Sequence, residues 1–202
     1  MLAASGAPFK QAGWQDGWYA NAQRLDSPNF GERPEDTAVD LIVLHSISLP
    51  PGVYGEGYVQ ALFTNRLDWD AHPYFQSIRD LKVSTHFFIT RKGVLWQFVS
   101  VNQRAWHAGA SSFHGREQCN DYSVGIELEG LEGEVFEAAQ YDCLAQLCHA
   151  LREHYPIAHV VGHEHIAPGR KQDPGPGFDW TLLVRSVAWS PQYFPFSPNE
   201  IS

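Results

Sequence analysis

Residues 39–48 constrain the fold of this chain most, because they read VDLIVLHSIS. The centre of this segment, LIVLH, is a continuous apolar run, which is typical of a β-strand buried on both faces. His45 ends the run, just before a break that contains Pro50-Pro51-Gly52. Functional side chains gather where central strands end and loops begin. His45 is therefore a candidate functional residue, although the segment alone also allows a hydrogen-bonded structural histidine.

Composition indicates one globular domain without a nucleic-acid surface. The 202 residues are 44% hydrophobic and 18% charged, an ordinary balance for a chain with a sizeable core. The net charge is -9 and no Lys/Arg run occurs, which argues against binding to nucleic acid or to an anionic membrane. We see no signal-peptide pattern, and no run approaches the roughly 20 apolar residues of a membrane span. These features predict a cytoplasmic protein.

The three cysteines, Cys119, Cys143 and Cys148, do not form a CxxC motif. An odd number of cysteines argues against a disulfide framework. We expect free thiols in a reducing compartment.

The remaining pattern predicts strands and helices around residues 39–48. Residues 83–90 and 94–99 form a hairpin signal, and His86 within the first strand is interpreted as a core histidine. Residues 137–155 have the apolar spacing of a helix, which Pro156 ends. Shorter predicted elements are helices at 14–25, 58–66 and 178–188 and a strand at 158–161. We assign residues 1–38 to a peripheral segment, 39–190 to the functional domain and 191–202 to an irregular tail.

Residues 162–176, GHEHIAPGRKQDPGP, place His163, His165, Lys171 and Asp173 in one short segment. Its Gly and Pro residues predict a fixed loop rather than a helix. Imidazole and carboxylate are ligands that zinc prefers, and a lysine can stabilise developing negative charge. Our hypothesis is that His163 and Asp173 hold a catalytic zinc and that Lys171 faces a reacting carbonyl. The residues alone also permit His163 and His165 as a ligand pair.

Two further segments carry candidate side chains. In residues 123–130, SVGIELEG, strand alternation puts Glu127 and Glu129 on one face, which suggests one base and one structural acid or an ordinary half-exposed strand. In residues 103–112, QRAWHAGASS, Trp106 and His107 precede small residues that allow a ligand to approach the backbone. His107 is a candidate for substrate contact, and less so for metal binding.

Together these residues favour a metal hydrolase. A catalytic zinc takes three protein ligands and leaves a position for water, and His45, His163 and Asp173 fit that need. Glu127 is the candidate base and Lys171 the candidate partner of the oxyanion. A helical HExxH motif and a GxSxG elbow are both absent, which argues against those two hydrolase classes.

Several ordered motifs also resemble one enzyme family. They are LHSISLPPG, DAHPYF, VSTHFFI, RAWHAG, CNDYSVGIELEG and GHEHIAPGRKQDPGP. In this order they resemble the AmpD-type N-acetyl-anhydromuramyl-L-alanine amidases of bacterial cell-wall recycling, over about residues 18–180. More distantly, the chain resembles bacteriophage lysozyme-type amidases and peptidoglycan recognition proteins.

The resemblance implies a single α/β (α+β) domain, with a central mixed β-sheet flanked by helices and one zinc in a surface cleft. By position it implies zinc ligands at His45, His163 and Asp173, with Glu127 activating water and Lys171 near the oxyanion. It places substrate contacts near Ser46, Trp106, His107 and Arg116. Ser46, Lys82 and Gln118 depart from the residues that related enzymes carry, which affects the detailed sugar and peptide contacts.

The resemblance also implies the activity and the partners. The expected reaction is hydrolysis of the amide between the lactyl group of anhydro-N-acetylmuramic acid and L-Ala, with consequent influence on β-lactamase induction. A muropeptide is the expected small-molecule substrate, with no obligate protein partner. Two alternatives remain: an amidase acting on intact peptidoglycan, and a non-catalytic muropeptide-binding module.

Overall fold

A computed structural model describes residues 13–197. The ends of the predicted peripheral segment and tail, residues 1–12 and 198–202, lie outside the described residues. Two 3₁₀ turns are present at Cys119–Asp121 and Pro191–Tyr193. The helices are α1 (Tyr58–Phe63), α2 (Pro73–Gln76), α3 (Ala138–His154), α4 (His163–Ile166) and α5 (Trp180–Val187). The strands are β1 (Trp14–Gln15), β2 (Trp18–Tyr19), β3 (Gln23–Arg24), β4 (Phe30–Gly31), β5 (Leu41–Ile47), β6 (Phe87–Ile89), β7 (Leu95–Gln97), β8 (Arg104–Ala105), β9 (Ser112–Phe113), β10 (Arg116–Glu117), β11 (Ser123–Glu129) and β12 (His159–Gly162).

A six-stranded mixed sheet with the order β12-β5-β11-β6-β7-β3 forms the centre of the fold. Only β6 and β7 pair antiparallel within it, and they form the hairpin that the sequence predicts. The other neighbouring strands run parallel. The fold is therefore the α/β domain with a central mixed sheet and flanking helices that we expected.

The two central strands, β5 and β11, are the longest and set the position of the functional residues. They pair in parallel over seven residues, and Glu127 lies directly beside His45. Neighbouring strands are about 4.8 Å apart, so these two side chains leave the same face side by side. All seven residues of β11 are buried. The interpretation of β11 as a half-exposed strand is therefore wrong, because structure covers both of its faces.

Alternation along these strands divides the core between the two faces of the sheet. On one face, alternate residues such as Ile42, Leu44, Ile126 and Leu128 share a cluster with apolar residues of α3 and α5. On the opposite face, α1 and α2 pack near β6, while the 103–122 region packs near β5 and β12. His45 and Glu127 point to this second face, between the two smaller clusters.

The helix that we predicted at residues 14–25 is wrong, because these residues form the antiparallel pair β1 and β2 and the edge strand β3. The two residues between β1 and β2 are Asp16 and Gly17, with φ of 50° and 77°. Positive φ at both positions defines the tight hairpin turn for which Asp-Gly is a preferred sequence. Asp16-Gly17 was thus the informative signal in this segment, and it predicts a hairpin turn rather than a helix.

Two other predicted elements agree with the structure to within a few residues. The long helix expected at 137–155 is α3, and the final helix expected at 178–188 is α5. No helix among residues 13–197 is long and apolar enough to cross a membrane.

Candidate active site

Three side chains from distant parts of the sequence converge on one point. His45 comes from β5, His163 begins α4, and Asp173 lies in the loop that follows α4. The Nδ1 atoms of the two histidines are 2.9 Å apart, and each is 3.0 Å from Asp173 Oδ2. All three side chains are buried. In the part of the chain that the structure describes, they form the one cluster of three or more His, Cys, Asp or Glu ligand atoms close enough to hold a metal ion.

Hydrogen bonding indicates that this cluster suits a cation. The Nε2 atom of His163 lies 3.0 Å from the carbonyl oxygen of Ala108, which can only accept a hydrogen bond. In a neutral imidazole, Nδ1 of His163 then carries a lone pair that faces the carboxylate oxygen of Asp173. Two acceptors at 3.0 Å repel each other unless a positive charge lies beside them. The donor set of two imidazoles and one carboxylate is one that zinc prefers.

The loop expected at residues 162–176 is wrong in one respect, since its first residues form α4. This short helix follows β12 without a connecting residue, so His163 is fixed between strand and helix. His165 points elsewhere, with its Nδ1 accepting from the Gly162 backbone N–H at 2.8 Å. Its ring stacks on Phe196 with a centroid separation of 4.4 Å. The structure thus brings His163 to the cluster and leaves His165 out of it.

Glu127 is the buried acid beside the cluster. Its Oε2 atom has no hydrogen-bond partner among residues 13–197, which is rare for a buried carboxylate. Burial raises the pKa of this carboxyl well above its ordinary value, and the negative charge of Asp173 raises it further. The positive charge of Lys171 acts in the opposite direction. A carboxylate with a raised pKa and a free oxygen is suited to accept a proton.

Glu129 lies two residues along the same strand face, and both of its carboxylate oxygens accept hydrogen bonds from the protein. Its Oε1 accepts from the Gly55 backbone N–H at 2.6 Å, and its Oε2 accepts from the Arg91 backbone N–H at 3.0 Å. Glu129 therefore fastens the loops around residues 55 and 91 to the sheet. The two glutamates differ in role because they differ in partners.

A cleft of about 480 Å³ opens directly onto these side chains. Ser46, Trp106, His107 and Lys171 line it together with His45, Glu127, His163 and Asp173. Large hydrophobic side chains also line it and form what we call its apolar wall: Leu62, Phe63, Tyr74, Ile78, Leu81 and Val83. Sequence reasoning did not single out this apolar wall. The one signal for it was the aromatic DAHPYF segment, which could have been a cleft loop or a surface loop.

Two of the sequence candidates have partners that define their positions. Arg116 does not line the cleft: its guanidinium pairs with Asp40 at 2.6 Å and lies 3.6 Å from the centre of the Tyr122 ring. His86 is buried, and its Nδ1 accepts from the Gly125 backbone N–H at 3.0 Å. His86 is thus the satisfied core histidine that the sequence predicts.

Comparison with known proteins places this site in a family. The N-acetylmuramoyl-L-alanine amidase family (Amidase_2) matches residues 35–176. The chain is 50% identical to the 1,6-anhydro-N-acetylmuramyl-L-alanine amidase AmpD of Citrobacter freundii over 167 residues, which cover 82% of this chain and 89% of that protein.

Solved structures agree with the sequence match. A crystal structure of a selenomethionine AmpD derivative is similar, with a TM-score of 0.83 and 50% identity over 86% of this chain and 98% of that one. The Escherichia coli amidase AmiD, solved with anhydro-N-acetylmuramic acid-L-Ala-D-γ-Glu-L-Lys, has a TM-score of 0.55 and 28% identity over 77% of this chain and 60% of that one. These comparisons confirm the resemblance read from the sequence motifs: the chain belongs to the N-acetylmuramoyl-L-alanine amidase family.

Proposed function

We propose that this protein hydrolyses the amide bond between the lactyl group of 1,6-anhydro-N-acetylmuramic acid and the L-Ala of a stem peptide. The observation that carries the proposal is the buried cluster of His45, His163 and Asp173 with the unpartnered carboxylate of Glu127 at its side. The name of the Citrobacter freundii relative and the ligand of the AmiD structure both support an anhydromuropeptide as the substrate.

The proposed cofactor is one zinc ion per chain, held by His45, His163 and Asp173. The convergence of their donor atoms and the repulsion that a cation would relieve support this assignment. A bound zinc supplies a Lewis acid that polarises a carbonyl and lowers the pKa of water. The burial of all three side chains supports a fixed geometry for that ion.

In the proposed reaction the protein's own residues move the proton and stabilise charge. Glu127 takes a proton from the attacking water and delivers it to the leaving L-Ala nitrogen. Lys171, on the cleft wall, stabilises the oxyanion that forms at the lactyl carbonyl. The raised pKa of the Glu127 carboxyl supports its part in the reaction, because a carboxylate with a raised pKa is the stronger base.

Proposed substrate contacts are Ser46, Trp106, His107 and Arg116. The first three line the cleft, which supports their assignment, while the ion pair of Arg116 with Asp40 lies outside it. An elongated ligand that leaves the cleft would be needed to reach Arg116. The apolar wall of the cleft suits the carbon skeleton of a sugar or a lactyl group.

The wider role is part of the same proposal. We assign the protein to cell-wall recycling in the cytoplasm, with an influence on β-lactamase induction through muropeptide levels. The likeness to AmpD supports this role. We assign the amidase domain to residues 39–190, with residues 1–38 and 191–202 as its extensions; the family match, which begins at residue 35, supports the first of these bounds.

The experiment that tests the function compares two substrates with and without a chelator. Purified protein is incubated with soluble anhydromuropeptide and with intact sacculi, and the released stem peptide is measured by mass spectrometry. We expect release from the soluble muropeptide only, abolished by chelator and restored by zinc. Release from sacculi at a similar rate would favour a peptidoglycan amidase. Binding of the muropeptide without any cleavage would identify a recognition module and overturn the proposal.

A further inference from the structure

Both ring nitrogens of His107 form hydrogen bonds with other side chains of the protein. Its Nδ1 lies 2.9 Å from His45 Nε2, and its Nε2 lies 3.2 Å from the hydroxyl oxygen of Ser123. That hydroxyl in turn lies 2.6 Å from the carbonyl oxygen of Cys119. A continuous chain of hydrogen bonds therefore runs from a main-chain carbonyl to one member of the His45, His163 and Asp173 cluster.

The carbonyl at the end of this chain sets the direction of every hydrogen bond in it. A carbonyl oxygen can only accept, so the Ser123 hydroxyl donates to Cys119, and its oxygen accepts from the Nε2–H of His107. A neutral imidazole carries one N–H, so Nδ1 of His107 has a lone pair and accepts from the Nε2–H of His45. Nδ1 of His45 is then left with a lone pair, and it is this atom that faces Asp173.

The pKa values of the two histidines agree with neutral rings. Burial first, and then the neighbouring His163 ring, lower the pKa of His45 to about 4. Burial also holds the pKa of His107 well below its ordinary value.

The fold provides space for the His107 ring and holds its backbone. A Cβ atom at Gly125 in β11 would lie 2.5 Å from Cγ of His107, so only glycine leaves room for the ring there. The backbone N–H groups of His107 and Ala108 both donate to Oδ1 of Asn120, at 3.1 and 2.8 Å. The backbone of His107 is held by Asn120, its ring packs against Gly125, and both ring nitrogens are hydrogen-bonded. These contacts together allow the ring one orientation.

We infer that His107 and Ser123 are positioning residues, which hold His45 in its Nε2–H tautomer so that Nδ1 is free to bind the metal. This inference rests on the ligand set in the proposed function. It gives His107 a role behind His45, in addition to the substrate contact proposed above. Partners of this kind fix the tautomer and orientation of metal-bound histidines in general.

The first test measures zinc affinity by competition with a chromogenic chelator. His107→Leu removes the acceptor, and we expect zinc to bind about 10- to 100-fold more weakly. His107→Asn can place its amide oxygen where Nδ1 stands, so it should recover most of that affinity. The matched control is His86→Leu, because His86 is also a buried histidine but bonds to Gly125, Gln103 and Arg33 instead of the cluster. It should lower stability and leave zinc affinity unchanged.

The second test reads the tautomer directly and does not depend on activity. Ring ¹⁵N chemical shifts of the zinc-free full-length protein should show His45 as the Nε2–H tautomer alone. In His107→Leu, and more weakly in Ser123→Ala, the Nδ1–H form should appear, because Asp173 then becomes the better acceptor. Ser123→Ala also serves as the second variant if His107→Leu does not fold.

The outcomes separate this inference from the proposed function. If His45→Leu still binds zinc with full affinity, the ligand set is wrong and the inference falls with it. If His45→Leu loses zinc while His107→Leu binds it as tightly as the His86→Leu control, only the inference is overturned. Unchanged zinc affinity with an increased KM in His107→Leu would also overturn it and would leave His107 with the substrate contact alone.

Discussion

Glu127 and Glu129 show how partners decide the chemistry of identical side chains. Both are buried on the same face of β11, two residues apart. Glu129 accepts two backbone N–H groups, whereas Oε2 of Glu127 accepts none. A buried carboxylate without donors costs free energy, and proteins retain such groups where they have a function. The missing partner therefore supports the role that we propose for Glu127.

The first prediction concerns Glu127 as the base. Glu127→Gln keeps the shape of the side chain and removes its ability to take a proton, so turnover of anhydromuropeptide should fall by a factor on the order of 10² or more. Zinc content, measured by atomic emission on the same preparation, should stay at one ion per chain, the stoichiometry that we propose. Turnover near the wild-type rate would remove Glu127 as the base, and loss of zinc would mean that the variant disturbs the cluster.

The second prediction concerns stability of the zinc-free protein. The pKa of Glu127 is raised in the folded state, so the folded protein holds this proton more tightly than the unfolded chain does. The stability that this proton contributes is fully present below the ordinary pKa of a glutamate. It is lost as the pH rises through the pKa of the folded state. Glu127→Gln should therefore be more stable than wild type at neutral pH, with a difference that shrinks toward zero at pH 4. Urea denaturation at several pH values measures this difference.

The matched control for that prediction is Glu129→Gln. This carboxylate accepts two backbone N–H groups, so its replacement should destabilise the protein by about 1–3 kcal/mol. If both variants are destabilised alike, Glu127 has stabilising partners that oppose its burial.

At the scale of elements, the hairpin of β1 and β2 joins the start of the described chain to the core. Its turn residue Gly17 has φ of 77°, and its carbonyl accepts from the Gln97 side chain and from the Val101 backbone. A Cβ atom on Gly17 would lie 2.3 Å from the Ser100 hydroxyl oxygen and 2.8 Å from the Asn102 nitrogen. Both the backbone conformation and the packing therefore require glycine.

The third prediction follows from this turn. Gly17→Ala should lower the free energy of unfolding by about 1–3 kcal/mol, because left-handed backbone and overpacking both act on it. Gly13→Ala is the matched control, since an added Cβ there meets no atom of the described part of the chain within 4 Å. Chemical denaturation of the two variants should separate them clearly. Equal stabilities would mean that the hairpin rearranges at little cost.

The elements also show what sequence can predict here and why. The apolar run of β5 and the regular spacing of α3 identify those elements, because a long periodic pattern allows one interpretation. Residues 14–25 were mistaken for a helix because their strands are two residues long and leave no period to read. The turn of α4 was missed for a similar reason, since its Gly and Pro neighbours outweigh four helical residues.

The same distinction applies to the site. His45 could be found from sequence because it ends a continuous apolar run, and Glu127 because strand alternation fixes its face. Ser123 could not, because its part depends on Oγ of a small buried residue meeting a ring from another loop. Gly125 carries the one available signal, as a glycine inside a strand often marks close approach of another group. That group is the ring of His107.

In the whole molecule, the two faces of the central sheet differ: one carries the largest part of the hydrophobic core, and the other carries the candidate site. Its helix-covered face carries the large cluster of α3 and α5, and the opposite face holds the cleft between two smaller clusters. The cluster of His45, His163 and Asp173 joins β5 to residues more than one hundred positions later in the chain. A metal bound there would tie α4 and the loop after it to the centre of the sheet.

The fourth prediction follows from that link. A ligand that binds only the folded state stabilises it by about 4 kcal/mol at a thousandfold excess over Kd. For a chain of this size, each kcal/mol raises Tm by about 2–4 °C, so zinc should raise Tm by roughly 10 °C over the chelator-treated protein. Calorimetry measures the shift.

Two variants test where the metal binds. In His163→Ala the shift should vanish, because the cluster loses one of its three donors. In His165→Ala the shift should remain, because that ring bonds to Gly162 and lies outside the cluster. A zinc-dependent Tm that survives in His163→Ala would locate the metal elsewhere.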